Sequence, residues 1–252
     1  MTLSGKRVLI TGGGTGAGEN LALGFAAAGA EVVISGRRLA PLQAVAERAS
    51  GIRVVQADVT DEAQVKAMFA AAGPCDVVIA NAGISEGFDT AEFEDLAVLR
   101  DILETNLIGL AATFQPFLHP LRERRAGTLV GVASVAGVRG LPGHGAYCSS
   151  KAGVISYCES LRGECRPFGL KVVTISPGFI DTPLTRRNRY PMPFLMSPHA
   201  FADSAFRAIE QGASHRVIPW QMGLVARLLK VLPDALFDRA FQGRGRKPRR
   251  GE

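Results

Sequence analysis

Tyr147 and Lys151 stand four residues apart in Gly145-Ala146-Tyr147-Cys148-Ser149-Ser150-Lys151, and Ser134 lies upstream at the end of an apolar run. A phenol can give a proton to a carbonyl oxygen or take one from an alcohol. A nearby ammonium favours the phenolate, so Lys151 is expected to bring Tyr147 down from its ordinary pKa of about 10. The Ser134 hydroxyl can hydrogen-bond the same oxygen. On a helix, positions i and i+4 share a face, which would aim Tyr147 and Lys151 into one site. Such a pair also arises by chance, so its meaning rests on the elements that position it.

Those elements alternate. Arg7-Val8-Leu9-Ile10, Glu31-Val32-Val33-Ile34, Arg53-Val54-Val55, Asp76 to Ala80, Thr128 to Val132 and Leu170 to Ile175 read as buried strands, and Arg216-Val217-Ile218 as a short seventh. Between them lie Ala/Leu-rich stretches with helical spacing, such as Asn20 to Ala28 and Ala63 to Ala71. Strand alternating with helix predicts an α/β fold, a doubly wound parallel sheet with helices on both faces. No linker divides the chain before about residue 180 and no internal repeat is visible, so a single domain over 1–242 is expected. Residues 183–198 read as a long substrate loop or lid, residues 220–242 as an amphipathic segment broken at Pro233, and 243–252 as a basic, disordered tail.

Composition excludes several classes. No run of about 20 apolar residues is present, and Met1 to Arg7 leads into a strand without a signal-peptide pattern. Cys75, Cys148, Cys158 and Cys165 show no Cys-x-x-Cys pair or metal-ligand spacing, so reduced thiols, a cytoplasmic location and no metal are expected. The net charge of +6 does not indicate nucleic acid. Five basic residues and Glu252 in the last ten residues supply +4, which leaves +2 for the body.

The segment Thr11-Gly12-Gly13-Gly14-Thr15-Gly16-Ala17-Gly18 follows the first strand and opens the first helix. Glycines there let the backbone turn sharply and approach a pyrophosphate seated on the helix N-terminal N–H groups. The second strand ends Ser35-Gly36-Arg37-Arg38, with no carboxylate for a ribose hydroxyl and two guanidinium groups suited to a 2′-phosphate, so Ser35, Arg37 and Arg38 are expected to bind the cofactor. NADP(H) is therefore expected over NAD(H).

With these motifs in register, the chain resembles a short-chain dehydrogenase/reductase of the ordinary single-domain, Rossmann-fold kind. The resemblance runs from about Leu3 to Thr182 and more loosely to about Ile218. It rests on Thr11-Gly12-x-x-x-Gly16-x-Gly18, Asp58-Val59, Asn81-Ala82-Gly83, Asn106, Ser134, Tyr147-x-x-x-Lys151 and Pro177-Gly178. It implies that Asp58 and Val59 meet the adenine, and that Asn81, Ala82 and Gly83 line the cofactor. It also implies that Pro177, Gly178, Ile180 and Thr182 flank the nicotinamide. Asn106 would hold an ordered water linking Lys151 to solvent, although an Asn in a helix also suits a kink or a local backbone bond. Ser134 alone would equally suit a helix cap. Family members commonly form homodimers or homotetramers through the helices after the fourth and fifth strands.

The implied reaction is hydride transfer between NADP(H) and a ketone, aldehyde or alcohol. A second reading, a nucleotide-binding regulatory or scaffold protein on the same fold, is disfavoured because Ser134, Tyr147, Lys151 and Asn106 are all present. The substrate pocket is expected from Ser85 to Phe88, Val138 to His144 and Leu184 to Met196, with an apolar face from Tyr190, Met192, Phe194, Leu195 and Met196. Arg186, Arg187 and Arg189 could meet an anion or simply be solvated, and Glu86 is too isolated to assign. Leu224, Val225, Leu228, Val231 and Leu232, beside Arg227 and Lys230, suit either a weak membrane-surface contact or packing against the protein itself.

Overall fold

Seven strands are joined in parallel in the order β3-β2-β1-β4-β5-β6-β7. They are β1 (Arg7–Thr11), β2 (Glu31–Gly36), β3 (Ile52–Gln56), β4 (Val77–Ala80), β5 (Thr128–Val132), β6 (Lys171–Pro177) and β7 (His215–Ile218). The helices are α1 (Gly16–Ala27), α2 (Leu39–Ala46), α3 (Glu62–Ala72), α4 (Asp95–Leu103), α5 (Gly109–Arg124) and α6 (Gly145–Cys165), then α7 (Pro198–Gln211), α8 (Trp220–Val231) and α9 (Asp234–Phe241). This computed structural model describes residues 4–186, 188, 190–243 and 247–250. Met1 to Leu3, Arg187, Arg189, Arg244, Arg246 and Glu252, which entered the sequence reading, lie outside the described residues.

The unbroken apolar runs in the strands have a direct cause. Side chains alternate across a strand, so a sheet covered on both faces needs apolar residues at every position. Val8 and Ile10 of β1 join Phe25 of α1, Leu42 of α2 and Phe201 of α7 in one core. Leu9 points the other way, into a second core with Met68 of α3, Phe114 of α5 and Cys158 of α6. The doubly wound sheet read from the alternation is thus the fold observed.

Local signals set the helix starts. Asp61 accepts the amide N–H of Gln64 at 3.0 Å ahead of α3, and Ser197 accepts that of Ala200 at 3.2 Å, with Pro198 opening α7. Pro233 separates α8 from α9, as its position in the pattern predicts. Among the described residues of 183–197 there are turns and no helix, with Ile180 bridged to Met196.

The strand order reverses at β1, which pairs with β2 on one side and β4 on the other. Ligands of open α/β sheets bind beyond the carboxyl ends of the strands at that point. It is there that the motifs converge.

Candidate active site

A cleft of about 470 Å³ opens over the carboxyl ends of the central strands. Gly12, Thr15, Gly16, Ala17 and Gly18 form one wall. Gly12 takes φ +67°, a left-handed turn that glycine adopts without strain, and a Cβ on Gly18 would lie 2.2 Å from the Gly12 carbonyl oxygen. Thr15 precedes α1 without capping it by its side chain, so the first N–H groups of the helix remain directed at the cleft. An uncapped, glycine-built helix start fits a pyrophosphate. Asn81 braces this loop: its amide donates to the Thr11 carbonyl at 3.0 Å and to that of Gly12 at 3.2 Å. Thr11 Oγ1 in turn accepts from the Asn81 and Ala82 amides.

The next wall carries Gly36, Arg37, Arg38, Asp58 and Val59. The Arg37 guanidinium is 4.0 Å from the Asp58 carboxylate and 59% exposed. Ser35 does not belong with them. It pairs with Thr11 and Val55 inside the sheet and is fully buried, and its hydroxyl has no partner among the described residues. The expected cofactor role of Ser35 is therefore corrected; strand parity turns Gly36 to the cleft instead.

Ala82, Gly83, Pro177, Gly178, Ile180 and Thr182 complete the lining as expected, together with Gly14, Pro41, Leu42 and Thr185, which sequence reasoning did not single out. The Thr182 hydroxyl lies 3.3 Å from that of Thr185, and its amide donates to the same oxygen at 3.0 Å.

Ser134, Tyr147 and Lys151 meet at the far wall. Ser134 follows β5 and caps a short 3₁₀ turn by accepting the Ala136 amide at 3.2 Å, so the capping reading and the cleft-facing reading both hold. Tyr147 and Lys151 share one face of α6. The Lys151 ammonium turns toward β5, donating to the Val132 carbonyl at 2.8 Å, and lies 5.8 Å from the centre of the Tyr147 ring. Burial holds Lys151 down at about 8. Part of the Tyr147 side chain faces the cleft, yet burial pushes its phenol up to about 12, opposed only by a hydrogen bond from Ser134. The phenol therefore lies above its ordinary value and not below it as expected; desolvation is the main cause, and Lys151, turned to the Val132 carbonyl, is not among the groups that oppose it.

Asn106 sits in a π-helical turn, Glu104–Ile108, between α4 and α5. Its side-chain oxygen accepts the Ile84 amide at 2.8 Å. Its nitrogen donates to the Ile84 carbonyl and to Ser150 Oγ, each at 3.0 Å. It is fully buried and does not line the cleft. Ser150 donates onward to the Tyr147 carbonyl at 2.8 Å, so Asn106 ties the segment after β4 to the helix that carries Tyr147 and Lys151.

The profile of the short chain dehydrogenase family matches residues 6–192. The chain belongs to that family. An uncharacterized oxidoreductase of Myxococcus xanthus is 42% identical over 247 residues, covering 94% of this chain and 97% of its own. The ketoacyl reductase HetN of Nostoc sp. is 31% identical over 229 residues, covering 86% and 79%. A solved short-chain type dehydrogenase/reductase from Mycobacterium marinum superposes with a TM-score of 0.77 at 29% identity over 86% of this chain and 94% of its own. The protein is an oxidoreductase of the short-chain type, a family that uses NAD(P)(H) and acts on small molecules.

In this short-chain dehydrogenase Ser85 and Leu184, from two of the segments expected at the substrate pocket, also line the cleft. Phe88 N–H donates to the Gly143 carbonyl at 3.3 Å, joining two of the expected pocket segments. The Tyr190 ring packs edge-on against His144 at 5.4 Å, whereas Phe194 and Leu195 stand half exposed. The apolar residues of the loop are therefore divided between the protein and solvent. Arg186 pairs with Asp181 at 2.8 Å on the surface.

The tail departs from expectation. Lys247–Arg250 is not a free solvated end: Lys247 is buried, and Arg249 and Arg250 reach Asp95, Glu86 and Asp101. Glu86, which sequence left unassigned, is one of its anchors. No local pattern signals pairs separated by about 150 residues or more.

Proposed function

We propose that this short-chain dehydrogenase is an NADPH-dependent oxidoreductase that interconverts a ketone or aldehyde and an alcohol, with Tyr147 as general acid and base and an apolar or lipid-like substrate. The observation that carries the reading is the convergence of Ser134, Tyr147 and Lys151 on one cleft with an uncapped helix start and two arginines. Similarity to a ketoacyl reductase supports a carbonyl substrate.

The chemistry that a nicotinamide cofactor would supply in this cleft is hydride exchange with the carbonyl carbon. Gly12 to Gly18 would hold its pyrophosphate, Arg37 and Arg38 the 2′-phosphate, and Asp58 and Val59 the adenine. Ala82, Gly83, Pro177, Gly178, Ile180 and Thr182 would enclose the nicotinamide half. Ser134 hydrogen-bonds the substrate oxygen. Tyr147, protonated at neutral pH because burial holds its phenol high, gives that oxygen its proton in reduction and takes one back in oxidation. Lys151 would hold the nicotinamide ribose and offset the charge left on the phenolate. The proton returns through Lys151 and a water held at the Asn106 turn.

Cofactor preference is open to a direct test. Guanidinium pairing with a phosphate dianion is expected to give NADPH a KM at least about tenfold below that of NADH, and Arg37→Ala with Arg38→Ala to erase the difference. Equal KM values in the unmutated protein would overturn the NADPH assignment.

A homodimer or homotetramer in the cytoplasm, built through α5 and α6, fits the family, and Ile108 leaves an apolar side chain half exposed at the start of α5. No helix among the described residues is long and apolar enough to cross a membrane. On α8, Met222 and Ala226 face inward, and Trp220, Leu224, Leu228 and Val231 form an exposed line beside exposed Arg227 and Lys230. That arrangement supports a weak contact with an anionic membrane surface. Leu224→Glu with Leu228→Glu is expected to abolish co-sedimentation with phosphatidylserine vesicles; co-sedimentation unchanged by the pair would exclude this face.

A further inference from the structure

The described part of the carboxy-terminal tail packs against the residues after β4, beside Ser85 and Leu184 of the cleft. Gly87 donates its amide proton to the Pro248 carbonyl at 3.0 Å and forms a parallel bridge with Arg249. A Cβ on Gly87 would lie 2.2 Å from the Lys247 carbonyl oxygen and 2.5 Å from that of Pro248. Backbone meets backbone there, and only glycine permits the approach.

Lys247 is 3% exposed. Its ammonium donates to Ser85 Oγ at 3.2 Å and to the Leu184 carbonyl at 2.9 Å. Ser85 follows β4 and Leu184 belongs to the substrate loop; both line the cleft. One side chain therefore pins two walls to each other. It also stands near His144, where its charge adds to the burial that holds the imidazole below its usual range.

Two arginines fasten the segment outside the pin. Arg249 meets buried Asp95, at the start of α4, through two bonds of 2.9 and 3.2 Å. Arg250 reaches Glu86 at 2.7 Å and Asp101 at 2.8 Å. The first is a bidentate, largely desolvated pair and the stronger anchor; the second is solvent-exposed and worth little alone.

We propose that Lys247–Arg250 is a strap that closes the substrate cleft at Ser85 and Leu184 and so limits the length of apolar chain the enzyme accepts, with Gly87 as its docking point. The limit on chain length rests on the oxidoreductase reading above; the docking of the strap does not. A chain extending from the reactive carbonyl ends against the Lys247 pin when the strap is down. With the strap displaced, the loop bearing Leu184 is released and the cleft is open at that end.

Two variants displace the strap by unrelated means: Gly87→Ala by steric exclusion and Arg249→Ala by loss of the anchor. Neither residue lines the cleft. Hydrogen exchange, followed by mass spectrometry on the full chain without nucleotide, is expected to quicken at least about fivefold across residues 184–196 in both. With NADPH and a series of methyl ketones from butanone to dodecanone, kcat/KM for the longest relative to the shortest is expected to rise about tenfold, with kcat for butanone within about twofold of the unmutated enzyme. Unchanged exchange in both variants overturns the strap, and faster exchange with an unchanged chain-length profile overturns its role in specificity. If the unmutated protein turns over no ketone, the proposed ketone-reducing activity fails and exchange alone judges the strap.

Discussion

Tyr147→Phe is expected to lower kcat for ketone reduction about a thousandfold and to leave NADPH binding within about threefold. The substitution removes one oxygen and keeps the ring, so packing on α6 is preserved. The phenol is the group best placed to protonate a substrate oxygen at neutral pH. Burial holds it at about 12, so it carries its proton throughout the working range. Ser134 faces the same space, but its hydroxyl already accepts the Ala136 amide and its own acidity is negligible. Turnover measured by NADPH absorbance, beside a fluorescence titration of NADPH, separates chemistry from binding. A variant that keeps a tenth of the unmutated rate would mean another acid protonates the substrate.

The same burial has a signature in stability. The folded pKa of Tyr147 lies above the ordinary value of 10.0, so the folded chain keeps a proton that the unfolded chain releases first. This contribution is complete below about pH 10 and is lost as pH rises toward 12. Tyr147→Phe removes that decline.

What sequence could and could not disclose follows from the range of each interaction. The glycine loop and the Tyr147/Lys151 spacing depend on neighbours within one turn, and they fell where the pattern placed them. Ser35 failed because the face a strand residue presents depends on sheet register, and its pairing with Thr11 and Val55 is set by partners elsewhere in the chain. Asn106 offered a kink or a water site; the structure adds a π-helical turn and an amide consumed by Ile84 and Ser150. The tail reads as disordered because its composition is basic, whereas its carboxylate partners lie on and before α4. Gly87 carries no such signal in the sequence; its role depends on the Lys247 and Pro248 backbone it meets.

Lys151→Met is expected to abolish turnover and yet to raise stability at neutral pH by about 1–2 kcal/mol, or a few degrees in Tm. Burial lowers Lys151 from 10.5 to about 8, so at pH 7 the folded protein still holds a charge that the interior disfavours. The displacement corresponds to about 3 kcal/mol at most. Losing the hydrogen bond to the Val132 carbonyl returns about 1 kcal/mol of that. Methionine is unbranched and fills the same channel without a charge. The sign is checked by pH. Between about 8 and 10.5 the folded lysine releases its proton before the unfolded one, so the unfolded state binds more protons and the unmutated protein gains stability as pH rises. Lys151→Met lacks that gain, and urea midpoints of the two proteins should converge above pH 10. A Lys151→Met protein less stable than the unmutated one at pH 7 would show that the ammonium holds the fold together. The expected result is the opposite: a buried cation kept at the expense of stability because the phenolate left on Tyr147 needs it.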